Sequence, residues 1–211
     1  MDWNGLEKAL EDSYKGEKSG HGWAHTKRVT ALAMHIAQVE GADKNLCRLA
    51  ALLHDVDDWK LVGGPMGQSA HARDFMDRFH VPLSVQDEVL SIIASVSFKG
   101  TDSVLPSTRE GRVVQDADRL DALGAIGVAR AFSYGAVHGR AMYDPQEKPH
   151  IGMDEKEYMR SKGTTINHFH EKLLLLEGMM GTDEGKRLAR GRTEFLRTFL
   201  AEFLAEWNGE K

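Results

Sequence analysis

Cysteine, proline and long apolar runs are what this sequence has least of. Its single cysteine, Cys47, excludes an intrachain disulfide and fits a reducing compartment. Cys47 stands in the apolar stretch 46–53 and reads as a small buried thiol. Five prolines leave few fixed breaks, and they do not join the glycines in any low-complexity segment. The longest apolar candidate, Leu173 to Leu176, is far short of the ~20 residues that span a bilayer, so no membrane partner is expected. The opening MDWNGLEKALEDSYKGEK is polar and lacks the apolar centre of a secretory leader, so a cytoplasmic location is expected. Basic charge is not in excess either. A formal net charge of −5 argues against a broad electrostatic partnership with nucleic acid or anionic membrane, and no stable nucleic-acid partner is expected. An anionic small molecule would then need local help from a metal or a few Lys and Arg side chains. Alternating strand patterns and internal repeats are absent.

What is present is helical periodicity. It predicts helices over 3–18, over 21–39 with a stop at Gly41, and over a segment capped by Asp43 that ends at His54. Further helices are predicted over 69–79 and 84–97, and another from 107–108 through Asp118, Asp121 and Ala125. Whether that last one runs unbroken past Gly124 and Gly127 is open. The segment 138–154 is irregular, and two long helices follow over 165–180 and 183–207. A chain of 211 residues suits one all-α domain over 1–211. Its core is expected at about 20–135, with the helices at about 163–208 packing on it.

Several chemistry-bearing residues fall on apolar helix faces. His25 shares its stripe with Val29, Leu32, Ala33, Ile36 and Ala37; His54 and Asp55 follow the run AALL; Asp118 lies one turn after Val114. Buried carboxylates are costly unless paired or bound to metal. Two imidazoles and two carboxylates would suit one divalent ion of borderline character, Mn, Co, Ni, Fe or Zn, better than Mg, which prefers oxygen. Neighbours on a helix diverge by about 100°, so His54 and Asp55 converge best where a helix ends. Each feature alone is common: a lone histidine on an apolar stripe is usually core, and Asp118 could be a cap or an ion-pair partner.

Order and spacing change the reading. The segments GHGWAHTKRV, LAALLHDVDD, VVQDADRLDALGAIGVARAF and TTINHFHEKLLLL together resemble the HD-domain phosphohydrolase superfamily, defined by H…HD…D on a helical scaffold. They are most similar to its small single-domain bacterial branch, some members of which hydrolyse nucleoside triphosphates to monophosphate and pyrophosphate. The resemblance implies an all-α fold with a central metal held by His25, His54, Asp55 and Asp118. Among Asp116, Asp118 and Asp121, it selects Asp118 from the A-D-x-L context Ala117 to Leu120. Asp121 is the runner-up or a partner for a ligating histidine. The position three after the aspartate of HD, here Asp58, is acidic in mononuclear relatives and orients the attacking water. It is Asp here where Glu is usual. Its neighbour Asp57 is read as facing solvent. The helix at 84–97 lacks the extra histidines of two-metal relatives, so one ion is expected, and an iron-dependent oxygenase is disfavoured.

Positive and donor groups for phosphate are sought at His21, Arg28, Lys60, His168 and Lys172, with surface charge the alternative for each, and Asp121 is grouped with them as a candidate for the substrate side of the site. Arg130 and Arg140 are read as surface or loop residues. Trp23, Tyr134 and Phe169 could stack on a base, although aromatics at helical spacing are more often core. The expected activity is a metal-dependent phosphohydrolase acting on a small phosphorylated substrate, by resemblance a nucleotide. The alternatives are a phosphodiesterase, a 5′-nucleotidase, or a non-catalytic metal- or nucleotide-binding module. Oligomeric state is not legible.

Overall fold

A computed structural model describes residues 1–15, 22–57 and 70–211. Among them are ten α-helices, two 3₁₀ segments and no strand, so the all-α expectation is met. No helix among them is long and apolar enough to cross a membrane. The helices are α1 (Trp3–Ser13), α2 (Trp23–Glu40), α3 (Lys44–Leu53), α4 (Ala70–Arg78) and α5 (Leu83–Val96). They continue with α6 (Arg109–Asp121), α7 (Gly124–Val137), α8 (Glu155–Arg160), α9 (Thr165–Glu171) and α10 (Asp183–Trp207). The chain divides into two compact units, one of residues 1–97 and 105–118, the other of residues 98–104 and 119–211.

In the first unit α2 packs on α3, and α3 on α5. α2 ends where Gly41 takes φ +67, a left-handed cap disfavoured for side chains with a Cβ, and Ala42 donates back to Ala37. Asp43 then caps α3, accepting from the N–H groups of Asn45 and Leu46 at 2.8 and 3.0 Å. Five of the last six residues of α3 before His54, Leu49 to Leu53, are buried, so its C-terminal end lies in the core. α6 is tied to this group at its start and its middle: Glu110 accepts from the Asp43 N–H at 3.1 Å, and Gln115 donates to the Ser95 carbonyl at 2.7 Å.

In the second unit α7 packs against α9 and α10. Phe132, Phe169 and Phe199 form its aromatic centre, with ring centroids 5.6–6.2 Å apart. The open question after α6 is resolved by a break. Gly124 takes φ +68 and starts a new helix, α7. The predicted helix over 165–180 is a correction. α9 stops at Glu171, and Leu173–Met179 form a 3₁₀ segment. Four consecutive leucines cannot all face one side of an α-helix. With three residues per turn, Leu173 and Leu176 eclipse one another, and both are buried while Leu175 is exposed. α8 was not foreseen, although Asp154 and Glu157 form a complete capping box at its start.

Cys47 is fully buried, and burial, followed by the Glu110 and Asp43 carboxylates, pushes its pKa up to about 12. Only the thiolate is a strong nucleophile. We predict that a thiol reagent at neutral pH labels the native protein far more slowly than the denaturant-unfolded protein; similar rates in the two states would contradict this packing.

Candidate metal centre

Three short stretches of the first unit supply the donors. His25 is the third residue of α2, placed by the turn at Gly22, whose carbonyl accepts from the His25 N–H at 2.9 Å. His54 caps α3 at its C-terminus and opens a turn through Asp57. Asp118 comes from α6, and Asp116, two residues earlier, is rotated about 200° away on that helix. His54 Nδ1 lies 2.8 Å from the Ala51 carbonyl oxygen. A carbonyl only accepts, so Nδ1 carries the proton and the neutral ring presents the Nε2 lone pair.

The four residues meet. His54 Nε2 is 3.3 Å from His25 Nε2. One Asp55 oxygen lies 3.4 Å from His25 Nε2 and the other 3.4 Å from His54 Nε2. Asp118 Oδ1 lies 3.4 Å from His25 Nε2 and 3.7 Å from His54 Nε2. His25, His54 and Asp55 are all buried, and their donor atoms lie within 4.8 Å of one another, a group that could hold a metal ion. Asp118 is the more open member, with 26% of its side chain exposed. Donors about 2.0–2.2 Å from a common ion, at tetrahedral to octahedral angles, lie roughly 2.8–3.6 Å apart. The separations of 3.3 and 3.4 Å fall within that range and the 3.7 Å between His54 and Asp118 lies just beyond it, and the mixed N and O set fits a borderline divalent ion.

Electrostatics point the same way. Burial opposes a charge on His54, yet the Asp55 and Asp118 carboxylates overcome it and hold its pKa well above the usual imidazole value. Burial likewise opposes the Asp118 charge, yet the His25 and His54 imidazoles beside it hold its carboxyl well below the usual range. The two carboxylates thus favour positive charge at their centre.

Other residues singled out by sequence are placed as follows. His21, Asp58 and Lys60 lie outside the described residues. Arg28 is half-buried on α2, one turn after His25. Asp57 corrects the solvent reading: its carboxylate accepts from the backbone N–H groups of His71 and Ala72. In the second unit Asp121 is buried and ion-paired with Arg130 at 2.9 Å, so Arg130 is not a free surface charge. Arg140 donates to the Ser161 carbonyl at 2.8 Å. Lys172 Nζ lies over the rings of Phe98 and Tyr158, 4.8 and 5.4 Å from their centroids, and His168 stacks on Tyr158. Phe169 is core, fully buried, and Tyr134 stacks on His138. Asp57 and Arg130 escaped the sequence reading because their partners, at positions 71–72 and 121, are set by chain turns.

This helical scaffold with its H…HD…D cluster defines a class, the metal-dependent HD-superfamily hydrolases, and the chain belongs to it: the HD domain family matches residues 22–123. Among its relatives is the uncharacterised Bacillus subtilis protein YpgQ, 36% identical over 188 residues, covering 88% of this chain and 84% of YpgQ. A solved Lactobacillus plantarum structure is 38% identical, with TM-score 0.87 over 98% of this chain and 96% of that one. A Bacillus thuringiensis HD-superfamily hydrolase is 36% identical, with TM-score 0.73 over 97% and 96%. YpgQ has also been solved in complex with ADP; that structure is 32% identical, with TM-score 0.72 over 95% and 96%.

A ligand that binds only the folded state stabilises it by roughly 2.7 kcal/mol at a hundred times its Kd. We therefore expect Mn²⁺ or Co²⁺ to raise the melting temperature of chelator-treated protein, and His25→Ala to abolish the rise. An unchanged melting temperature across saturating concentrations of the divalent series would argue against a metal at this cluster.

Proposed function

We propose that the protein is a phosphohydrolase acting on nucleotides, with one divalent ion held by His25, His54, Asp55 and Asp118. The observation that carries this reading is the convergence of their donor atoms at 3.3–3.7 Å. The nucleotide is supported by the ADP bound in YpgQ. A divalent ion at such a site supplies Lewis acidity toward a phosphoryl oxygen and an acidified water. The protein's part is positioning. The bond to Ala51 fixes the ring of His54, and Asp55 turns one oxygen toward each imidazole. Asp58, three residues after Asp55, takes the proton of the attacking water. This role is assigned from the sequence pattern alone. Arg28, on the helix of His25, provides a cation for the charge that develops on phosphate in an in-line displacement.

The reaction is tested with metal-loaded protein and a panel of nucleoside tri-, di- and monophosphates beside phosphodiesters. Release of pyrophosphate and monophosphate from triphosphates is the expected result. Turnover of diesters or monophosphates alone would replace it with the phosphodiesterase or nucleotidase reading. Mn²⁺, Co²⁺ or Ni²⁺ should support more turnover than Mg²⁺, because half the donors are imidazoles.

Two variants separate chemistry from ligation. Asp58→Asn should lower kcat by about 10²–10⁴-fold, the usual range for general acid–base help, with bound metal unchanged. Asp55→Asn should lose metal as well as rate. Metal analysis beside kinetics reads both, and near-native turnover of Asp58→Asn would pass the proton to another base.

A further inference from the structure

Asp57 is used neither by the cluster nor by the proposed chemistry, yet its carboxylate is among the most fully engaged in the first unit. Oδ1 accepts from the backbone N–H and the Nδ1–H of His71, both at 2.9 Å. Oδ2 accepts from the backbone N–H of Ala72 at 2.9 Å. Its side chain is only 16% exposed. His71 and Ala72 are the second and third residues of α4, whose N–H groups have no partner within the helix. These are the donors that a helix N-cap satisfies. Here the capping carboxylate is delivered from fourteen residues upstream.

That upstream position is the exit of the turn that carries His54 and Asp55. The turn's entrance is held by α3 and by the bonds from His54 Nδ1 and the Val56 N–H to the carbonyls of Ala51 and Leu53. Adjacent residues converge on one centre only while the chain leaves the helix along one particular path. Asp57 joins that path to a second rigid element through three hydrogen bonds. We infer that Asp57 is a positioning residue: by capping α4 it locks the turn that aims His54 and Asp55, and so sets the metal affinity of the cluster. The inference rests on the reading that the cluster binds a divalent ion. It assigns Asp57 no contact with metal or substrate.

The experiment is titration of chelator-treated protein with Mn²⁺ by calorimetry, well below the melting temperature, which needs no substrate. Partners behind the ligands of a metal site typically carry about 10–100-fold of its affinity. Asp57→Ala should weaken Mn²⁺ binding by that range, and Asp57→Asn, which retains one carbonyl acceptor for the α4 N–H groups, by less. His71→Ala, which keeps both backbone donors, should lie nearer the parent. Asp154→Ala, which removes the capping box of α8, should lower the melting temperature and leave the Mn²⁺ affinity alone. If Asp57→Ala also lowers stability while binding Mn²⁺ as the parent does, Asp57 is a helix cap and nothing more, and the inference is overturned. Should Asp57→Ala fail to fold, Asp57→Asn decides alone, and parent-like affinity in it has the same consequence. Failure of the parent itself to bind Mn²⁺ or any other divalent ion would instead remove the metal reading.

Discussion

Polar groups packed into a helical core must neutralise one another or be neutralised together. His25, His54 and Asp55 are buried with their donor atoms turned inward, and Asp118 faces the same point. Removed from water, two carboxylates repel, and each is costly without a cation. The structure answers by bringing both onto the two imidazoles at 3.4–3.7 Å, with one ring held at its far nitrogen by a backbone carbonyl. The positions of α2, α3 and α6 follow from that need. α2 and α3 are joined through a glycine-capped corner, and α6 is fastened to the corner by Glu110 and to α5 by Gln115.

The adjacent pair His54 and Asp55 shows how local structure serves the site. Within a helix the two side chains would point about 100° apart. α3 stops at Leu53, and the turn that follows lets both reach the same centre. Such a turn has no ladder of hydrogen bonds to hold it. Asp57 compensates by tying it to α4, with three donors on one carboxylate. A helix cap and two residues of a candidate metal site thus lie within four consecutive residues, 54–57. Neither would be recognised from the other.

The second unit is organised by ordinary burial. Phe132, Phe169 and Phe199 pack together at its centre, and the leucine run tightens into a 3₁₀ segment that buries Leu173 and Leu176 on successive turns. Asp121, in the QDADRLDALGA stretch, is ion-paired with Arg130 at 2.9 Å. Arg192 adds to that neighbourhood by donating to the Leu120 carbonyl; burial lowers its pKa and the Asp121 charge works against the shift.

Much of this was legible in the sequence, because much of it is periodic or local. Helical spacing marked the courses of α2, α3, α5, α6 and α10, Gly41 and Asp43 marked the corner between α2 and α3, and the order of His25, His54, Asp55 and Asp118 marked the family. The break at Gly124 was left open because glycine permits a left-handed turn without requiring one. The end of α9 was missed because a leucine run satisfies either helical period until its neighbours decide which side is buried. The distances at which the four expected donors meet, the capping of α4 by Asp57 and the burial of Asp121 against Arg130 came from tertiary structure alone. Each joins residues nine or more apart, or from separate elements, and such contacts depend on where the packed helices bring the chain back, which spacing along one element does not encode.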